Sequence, residues 1–241
     1  MPGTHIVRSY DEQLRRLGDA ITTMGGLAEA QLASAVTAVG SRDSVLAERV
    51  VAGDAAIDAL EAEALHLATQ VLALRQPVAV DLRLIVASFK LSSEIERIGD
   101  YARNIAKRAL VLNQGEPLRA AQAVPRMGQL VARMLRDVLD AFVARDAARA
   151  RDVWRRDEEV DALYNSVFRE LLTYMMEDAR SITPCTHLLF IAKNLERIGD
   201  HATNMAETVI YLIEGQMPGG ERPKGDFTAA VEPPSAGGSG Q

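Results

Sequence analysis

Eight carboxylates in this chain fall into four pairs at i, i+4 spacing: Asp54 with Asp58, Glu96 with Asp100, Asp157 with Asp161, and Glu196 with Asp200. On a helix that spacing puts both members of a pair on one face, a turn apart. Like charges so placed cost about 0.2–0.5 kcal/mol per pair, and bringing two pairs together adds repulsion that a multivalent cation removes. All-oxygen ligands suit Mg²⁺, Mn²⁺, Ca²⁺ or iron, and carboxylates also take zinc. The chemistry these residues point to is therefore metal binding by divalent or ferric ions (Fe, Zn, Mn or Mg), with the choice of metal left open.

Two of the pairs stand inside a repeated phrase. Glu96-Arg97-Ile98-Gly99-Asp100, followed by Asn104, returns 100 residues later as Glu196-Arg197-Ile198-Gly199-Asp200, followed by Asn204. The aspartate pairs precede these copies at an offset of 103, and at that same offset Met24, Leu27, Leu32, Val36 and Val39 match Met127, Leu130, Leu135, Leu139 and Phe142. The chain is an internal duplication over roughly residues 20 to 215. Asn104 and Asn204 continue their acidic stripes by one turn and are candidate outer partners of the ligands.

The elements that must hold these groups are helices. Apolar residues recur at threes and fours from Ser9 to Val39, from Leu46 to Leu74, and from Asp81 to Leu112. Arg75-Gln76-Pro77 breaks the second of these from the third, Asp81 is a plausible cap, and Asn113, Gly115 and Pro117 end the third. The second half repeats the plan: Met127 to Val143, a helix through Asp157 and Asp161 to Asp178, and a last helix to Ile213, with Thr183-Pro184 as cap and first position. The expected architecture is all-α, two similar three-helix bundles: residues 1–115, residues 116–215, and a disordered tail over 216–241 rich in Gly and Pro.

At about 100° per residue, Glu96, Asp100 and Asn104 span a stripe about 80° wide, while Leu91, Ile95, Ile98 and Ala102 centre near 220° on the same wheel. The acids are thus expected on the bundle surface. Gly99 lies between the two stripes, where a bare backbone lets a neighbouring helix approach. If that neighbour carries Asp54 and Asp58, four carboxylates meet, and Gly199 does the same for Asp157, Asp161, Glu196 and Asp200. The plainer reading is an ion-paired helix surface, with Arg97 neutralising Asp100 at i, i+3.

Composition narrows the function. Apolar residues are 48 % and aromatics 5 %, a helix former's balance, and a net charge of −6 argues against nucleic acid as a partner. No apolar run of about 18 residues is present to span a bilayer, and Cys185 is the single cysteine. Glu63-Ala64-Leu65-His66 matches half of a di-iron bundle motif, but no second copy exists; His66 reads as an ordinary helix-surface residue and His201 as structural. No phosphate loop or nucleophile elbow is present, so no catalytic residue is assigned and the chain is read as a non-enzyme. A metal-dependent bundle enzyme and a metal-free helical scaffold, the latter using Leu82, Ile85 and Phe89 as its partner surface, are the alternatives.

At both Glu-Arg-Ile-Gly-Asp-x-x-x-Asn copies, at Leu74-Arg75-Gln76-Pro77 with Asp81-Leu82-Arg83, and at Thr183-Pro184 with Asn194-Leu195, the chain resembles the PhoU family. That resemblance implies paired three-helix bundles, a homodimer, and metal clusters on E(D)xxxD motifs, here the eight carboxylates above. It further implies a cytoplasmic regulator that restrains phosphate uptake and the phosphate-starvation response through the phosphate ABC importer and its sensor histidine kinase, reaching the membrane only through those partners. One departure concerns the sites: Glu61 in the first half is matched by Tyr164 in the second, so the two need not hold equal numbers of ions.

Overall fold

A computed structural model describes residues 3–75 and 77–219. The expected tail lies outside the described residues from 220 onward, as does Gln76 of the expected break. The helices are α1 (Gly3–Ser41), α2 (Ser44–Gly53), α3 (Ala55–Arg75), α4 (Ala79–Leu112), α5 (Ala123–Ala144), α6 (Ala147–Arg155), α7 (Asp157–Glu177) and α8 (Ile182–Glu214), with short 3-10 turns at Arg119–Gln122 and Ala179–Ser181. Among the described residues there is no strand.

The duplication is visible in the turns. Arg42 and Arg145, equivalent at offset 103, both take left-handed backbone angles, φ 57° and 54°. Each is followed by an aspartate whose amide reaches back to a carbonyl of the helix it has left, Asp43 to Ala38 at 3.1 Å and Asp146 to Ala141 at 3.0 Å. The same aspartates then cap the next helix, accepting from the amides of Leu46 at 2.9 Å and Arg149 at 3.0 Å.

Each half is a three-helix bundle whose middle helix is interrupted, a feature the periodicity does not show. The expected Leu46–Leu74 helix bends at Asp54 and its counterpart bends at Arg156. Gly53, poor in helix propensity, lies beside Gln31 of α1 in the first half. Because the apolar face is the same before and after the bend, with Val50 and Ile57 both buried, the sequence pattern runs through it unbroken. Two caps also shift. Asp81 lies in the first turn of α4 behind Val78, where its carboxylate accepts from the Tyr10 hydroxyl at 2.9 Å. Thr183-Pro184 falls within the first turn of α8 behind Ser181; a proline is tolerated there because first-turn amides lack intrahelical partners.

The two bundles lie side by side, α4 along α8 and α1 across α5, over one continuous apolar core. The crossing of α1 and α5 uses glycine reciprocally. A Cβ at Gly25 would overlap Leu139, and one at Gly128 would lie 2.5 Å from a Val36 methyl. Gly25 and Gly128 are equivalent in the duplication, as are Val36 and Leu139, so the halves meet through a near-twofold exchange of the same knob and notch. Of the expected partner surface, Leu82 and Phe89 are 40 % and 48 % exposed, but Ile85 is 1 % exposed. It belongs to the core because α4 packs on both α1 and α8 and so buries a wider face than a single stripe predicts.

Candidate functional site

In both halves the mid-helix glycine does what its place on the wheel predicts. A Cβ on Gly99 would lie 2.9 Å from Ile57 Cδ1 of α3, and one on Gly199 would lie 3.1 Å from Val160 Cγ1 of α7. That close approach sets the aspartate pairs beside the Glu-Arg-Ile-Gly-Asp copies. In the first half Asp54, at the bend, has its pKa raised by burial and then by the charges of Asp58 and Asp100, against the pull of Arg103. Glu96 is raised by burial and by Asp100, Glu61 and Asp58. Glu61 is raised by burial, Asp58 and Asp100, so it joins the cluster.

Half of the acids are not on the outer skin, while Glu96, Asp100 and Asp200 are half-buried and Asp58 is exposed. Asp54 and Asp157 are 3 % exposed, and Asp161 and Glu196 are 8 % exposed. A wheel drawn for one helix shows which side faces its own bundle core, but not what the neighbouring helix covers, and at Gly99 and Gly199 the neighbour comes close enough to bury the flank.

The two clusters solve the resulting charge problem differently. In the first, Arg103 bridges the helices, donating to Asp54 at very short range and to Asp100 Oδ1 at 2.6 Å. Arg97, the partner expected for Asp100, is more distant at 3.6 Å and as far from Glu96. Arg103 is three residues after Asp100, so half of its role was readable as an i, i+3 pair; its reach to Asp54 was not. Nearby, Gln31 Oε1 is buried without a hydrogen-bond partner and lies 3.5 Å from the same point over Gly99 as Asp54 Oδ1.

In the second cluster Thr203 stands where Arg103 does. Its hydroxyl lies 3.3 Å from Asp157 Oδ1 and 2.9 Å from the Gly199 carbonyl, one proton serving two acceptors. Glu196 has its pKa raised by burial, opposed by Lys193 at 2.9 Å, and raised again by Asp200 and Asp161. Tyr164, in the place of Glu61, lies under the Lys193 ammonium at 5.1 Å.

Among the described residues no group of three or more His, Cys, Asp and Glu side chains is placed to hold a metal ion. The donor chemistry nonetheless fits a hard cation. The ligand candidates are carboxylate oxygens, several are buried and pushed toward protonation, and an unpartnered amide oxygen lies beside Asp54. In the first cluster a guanidinium links Asp54 to Asp100, and in the second a lysine pairs with Glu196. Asn204 is 3.3 Å from Glu94 across the α4–α8 seam, and Asn104 lines a groove on that seam. His201 also pairs with Glu94 and packs on Tyr101, ring centroids 5.5 Å apart, a structural use as read from the sequence. His66 is exposed on α3, and Cys185 is buried, its thiol pKa pushed up by that burial.

Comparison with known proteins places these motifs. The family model described as PhoU domain matches twice, at residues 21–109 and 124–209. A protein of Caulobacter vibrioides named phosphate-specific transport system accessory protein PhoU homolog is 53 % identical over 223 residues, 92 % of this chain and 97 % of that one. A protein of the same name from Rhizobium meliloti is 47 % identical over 232 residues, 96 % and 98 % of the two chains. The crystal structure of PhoU from Pseudomonas aeruginosa superposes with a TM-score of 0.84 at 41 % identity, covering 86 % of this chain and all of that one.

Proposed function

The chain belongs to the PhoU family, and on that footing we propose that it is an accessory protein of phosphate-specific transport: a regulatory adaptor that restrains phosphate uptake and phosphate-starvation signalling. The observation that carries this reading is the match of both halves to relatives that bear that transport-accessory name over nearly their whole length. The adaptor works from the cytoplasm as a homodimer, contacting the phosphate importer and its sensor histidine kinase. No helix among the described residues is long and apolar enough to cross a membrane, in keeping with attachment through partners. Deleting the gene in its own host should raise phosphate uptake and switch on starvation-response promoters in phosphate-rich medium; unchanged uptake and unchanged promoter activity would sink the reading.

Divalent or ferric ions sit on the two carboxylate clusters, Asp54, Asp58, Glu96 and Asp100 in one and Asp157, Asp161, Glu196 and Asp200 in the other. There they would supply charge neutralisation that lets Asp54, Asp157, Asp161 and Glu196 stay ionised while buried. Support comes from the approach of the acid pairs on neighbouring helices, where Asp54, Glu96 and Glu196 have pKa values raised by burial and further by neighbouring carboxylates. Elemental analysis of purified wild type against Asp100→Asn with Asp200→Asn tests the assignment, and equal metal content in the two would remove it. The role is non-catalytic: the carboxylates are spent on each other and on Arg103, Lys193 and Thr203 rather than presented to a substrate.

A further inference from the structure

The α4–α8 seam has two ends that the duplication makes equivalent, and they carry opposite charge. At one end Glu94 pairs with His201 and lies near Asn204, and Glu207 accepts from the Trp154 indole at 3.0 Å. At the other end the equivalent positions hold Asn194 and Lys107, so both carboxylates are gone and a cation has been added. A cleft of about 500 Å³ opens there, and Lys107, Arg108, Arg197, His187, Asn104 and Asn194 line it together with three uncharged residues and no carboxylate.

Its cations are parked on rings instead of acids. The Arg108 guanidinium lies 4.0 Å over the Phe190 ring, and that of Arg197 lies 5.7 Å over Tyr101. Arg108 Nη1 is 3.4 Å from His187 Nδ1; a guanidinium only donates, so this imidazole nitrogen is the acceptor and the ring carries its proton on Nε2. Among the described residues none of Lys107, Arg108 and Arg197 forms an ion pair. In a chain of net charge −6, a concave site whose charged lining residues are all cations focuses positive potential.

We propose that this cleft binds a phosphate-type oxyanion, free or carried on a small organic molecule. The guanidinium forks and the Lys107 ammonium match an oxyanion's acceptors, the two asparagine amides supply further donors, and the volume lies within the range of small-molecule sites. The inference stands on the charge and shape of the cleft and holds whether or not the chain regulates phosphate transport.

Isothermal titration calorimetry of the full chain at low ionic strength, with inorganic phosphate, AMP and adenosine as probes, tests it. Wild type should bind at least one of the two anions and not adenosine, and Lys107→Ala with Arg108→Gln should weaken that binding at least tenfold. Arg197→Gln, an exposed change on the opposite helix, should weaken it as well, which guards against a folding defect in the double variant. Similar affinities for phosphate and AMP would assign the free anion, and AMP at least tenfold tighter would assign the ester. No heat with either anion, equal affinity in the variants, or adenosine binding as well as AMP would overturn the proposal. Metal content of the variants should equal that of wild type, which separates this site from the acid clusters.

Discussion

Two carboxylate clusters with the same wording occupy equivalent places in two bundles, yet they are neutralised from different directions. The first draws on its own α4: Arg103 folds back to hold Asp54 and Asp100 together. The second has a hydroxyl at that position and a lysine one turn before Glu196. Its bend is fastened instead from outside the cluster, where Asp137 of α5 accepts from Arg149 at 2.9 Å and from Arg156 at 2.6 Å. The first half has Ser34, Leu46 and Gly53 at those three places and cannot build this clamp. Duplicated motifs therefore preserve where the charge sits, while divergence decides what answers it.

Removing Arg103 is the sharpest way to break the comparison. Arg103→Ala leaves Asp54 buried and unpaired, and should cost about 3–5 kcal/mol in urea unfolding of metal-free protein. The equivalent Thr203→Ala should cost only about 1 kcal/mol. Equal losses would mean that the two clusters are not held differently. The symmetry of the α1–α5 crossing is tested by Gly25→Val and Gly128→Val. Each drives a side chain into Leu139 or Val36 and should lose about 2 kcal/mol, and a marked inequality would break the near-twofold reading.

Asp137→Asn should lose about 1.5–2 kcal/mol at neutral pH, because its hydrogen bonds are to charged partners, with no counterpart in the first half. Burial raises the Asp137 pKa, but the bonds and charges of Arg149 and Arg156 outweigh it and hold the value below the ordinary carboxylate range. A depressed folded-state pKa gives stability that is present above the unfolded value near 3.9 and lost as pH falls through the folded one. The gap between wild type and Asp137→Asn in thermal unfolding should therefore close below about pH 4. Smallest is the difference in metal affinity. The second cluster should bind Mn²⁺ about tenfold more tightly, about 1.4 kcal/mol, since the lysine ammonium on Glu196 is displaced more readily than a guanidinium that bridges two helices. Arg103→Ala should narrow that difference in equilibrium dialysis, and tighter binding at the first cluster would reverse the comparison.

Much of this was legible in advance for definite reasons. Helical period survives the bends at Asp54 and Arg156 because both segments of each arm keep one buried face, so the arms were readable and their breaks were not. Gly99 and Gly199 betrayed the close helix approach, because a mid-helix glycine flanking an apolar stripe has few other uses. The burial of Asp157 and Glu196 was invisible, since it depends on how far the adjacent helix overhangs. Arg103 was overlooked in favour of Arg97, although both stand three residues from Asp100. Choosing between them requires knowing where α3 lies.

The amino-acid order by itself determined the duplication, the all-helical build, the notched helices and the pairing of acids a turn apart, because these follow from spacing along one chain and from side-chain type. Which cation answers each acid, how deeply each acid is buried, and the carboxylate-free cleft at one end of the α4–α8 seam were decided only by tertiary packing. Electrostatic energy depends on distance and on exclusion of water, and neither exists until separate helices are set against one another.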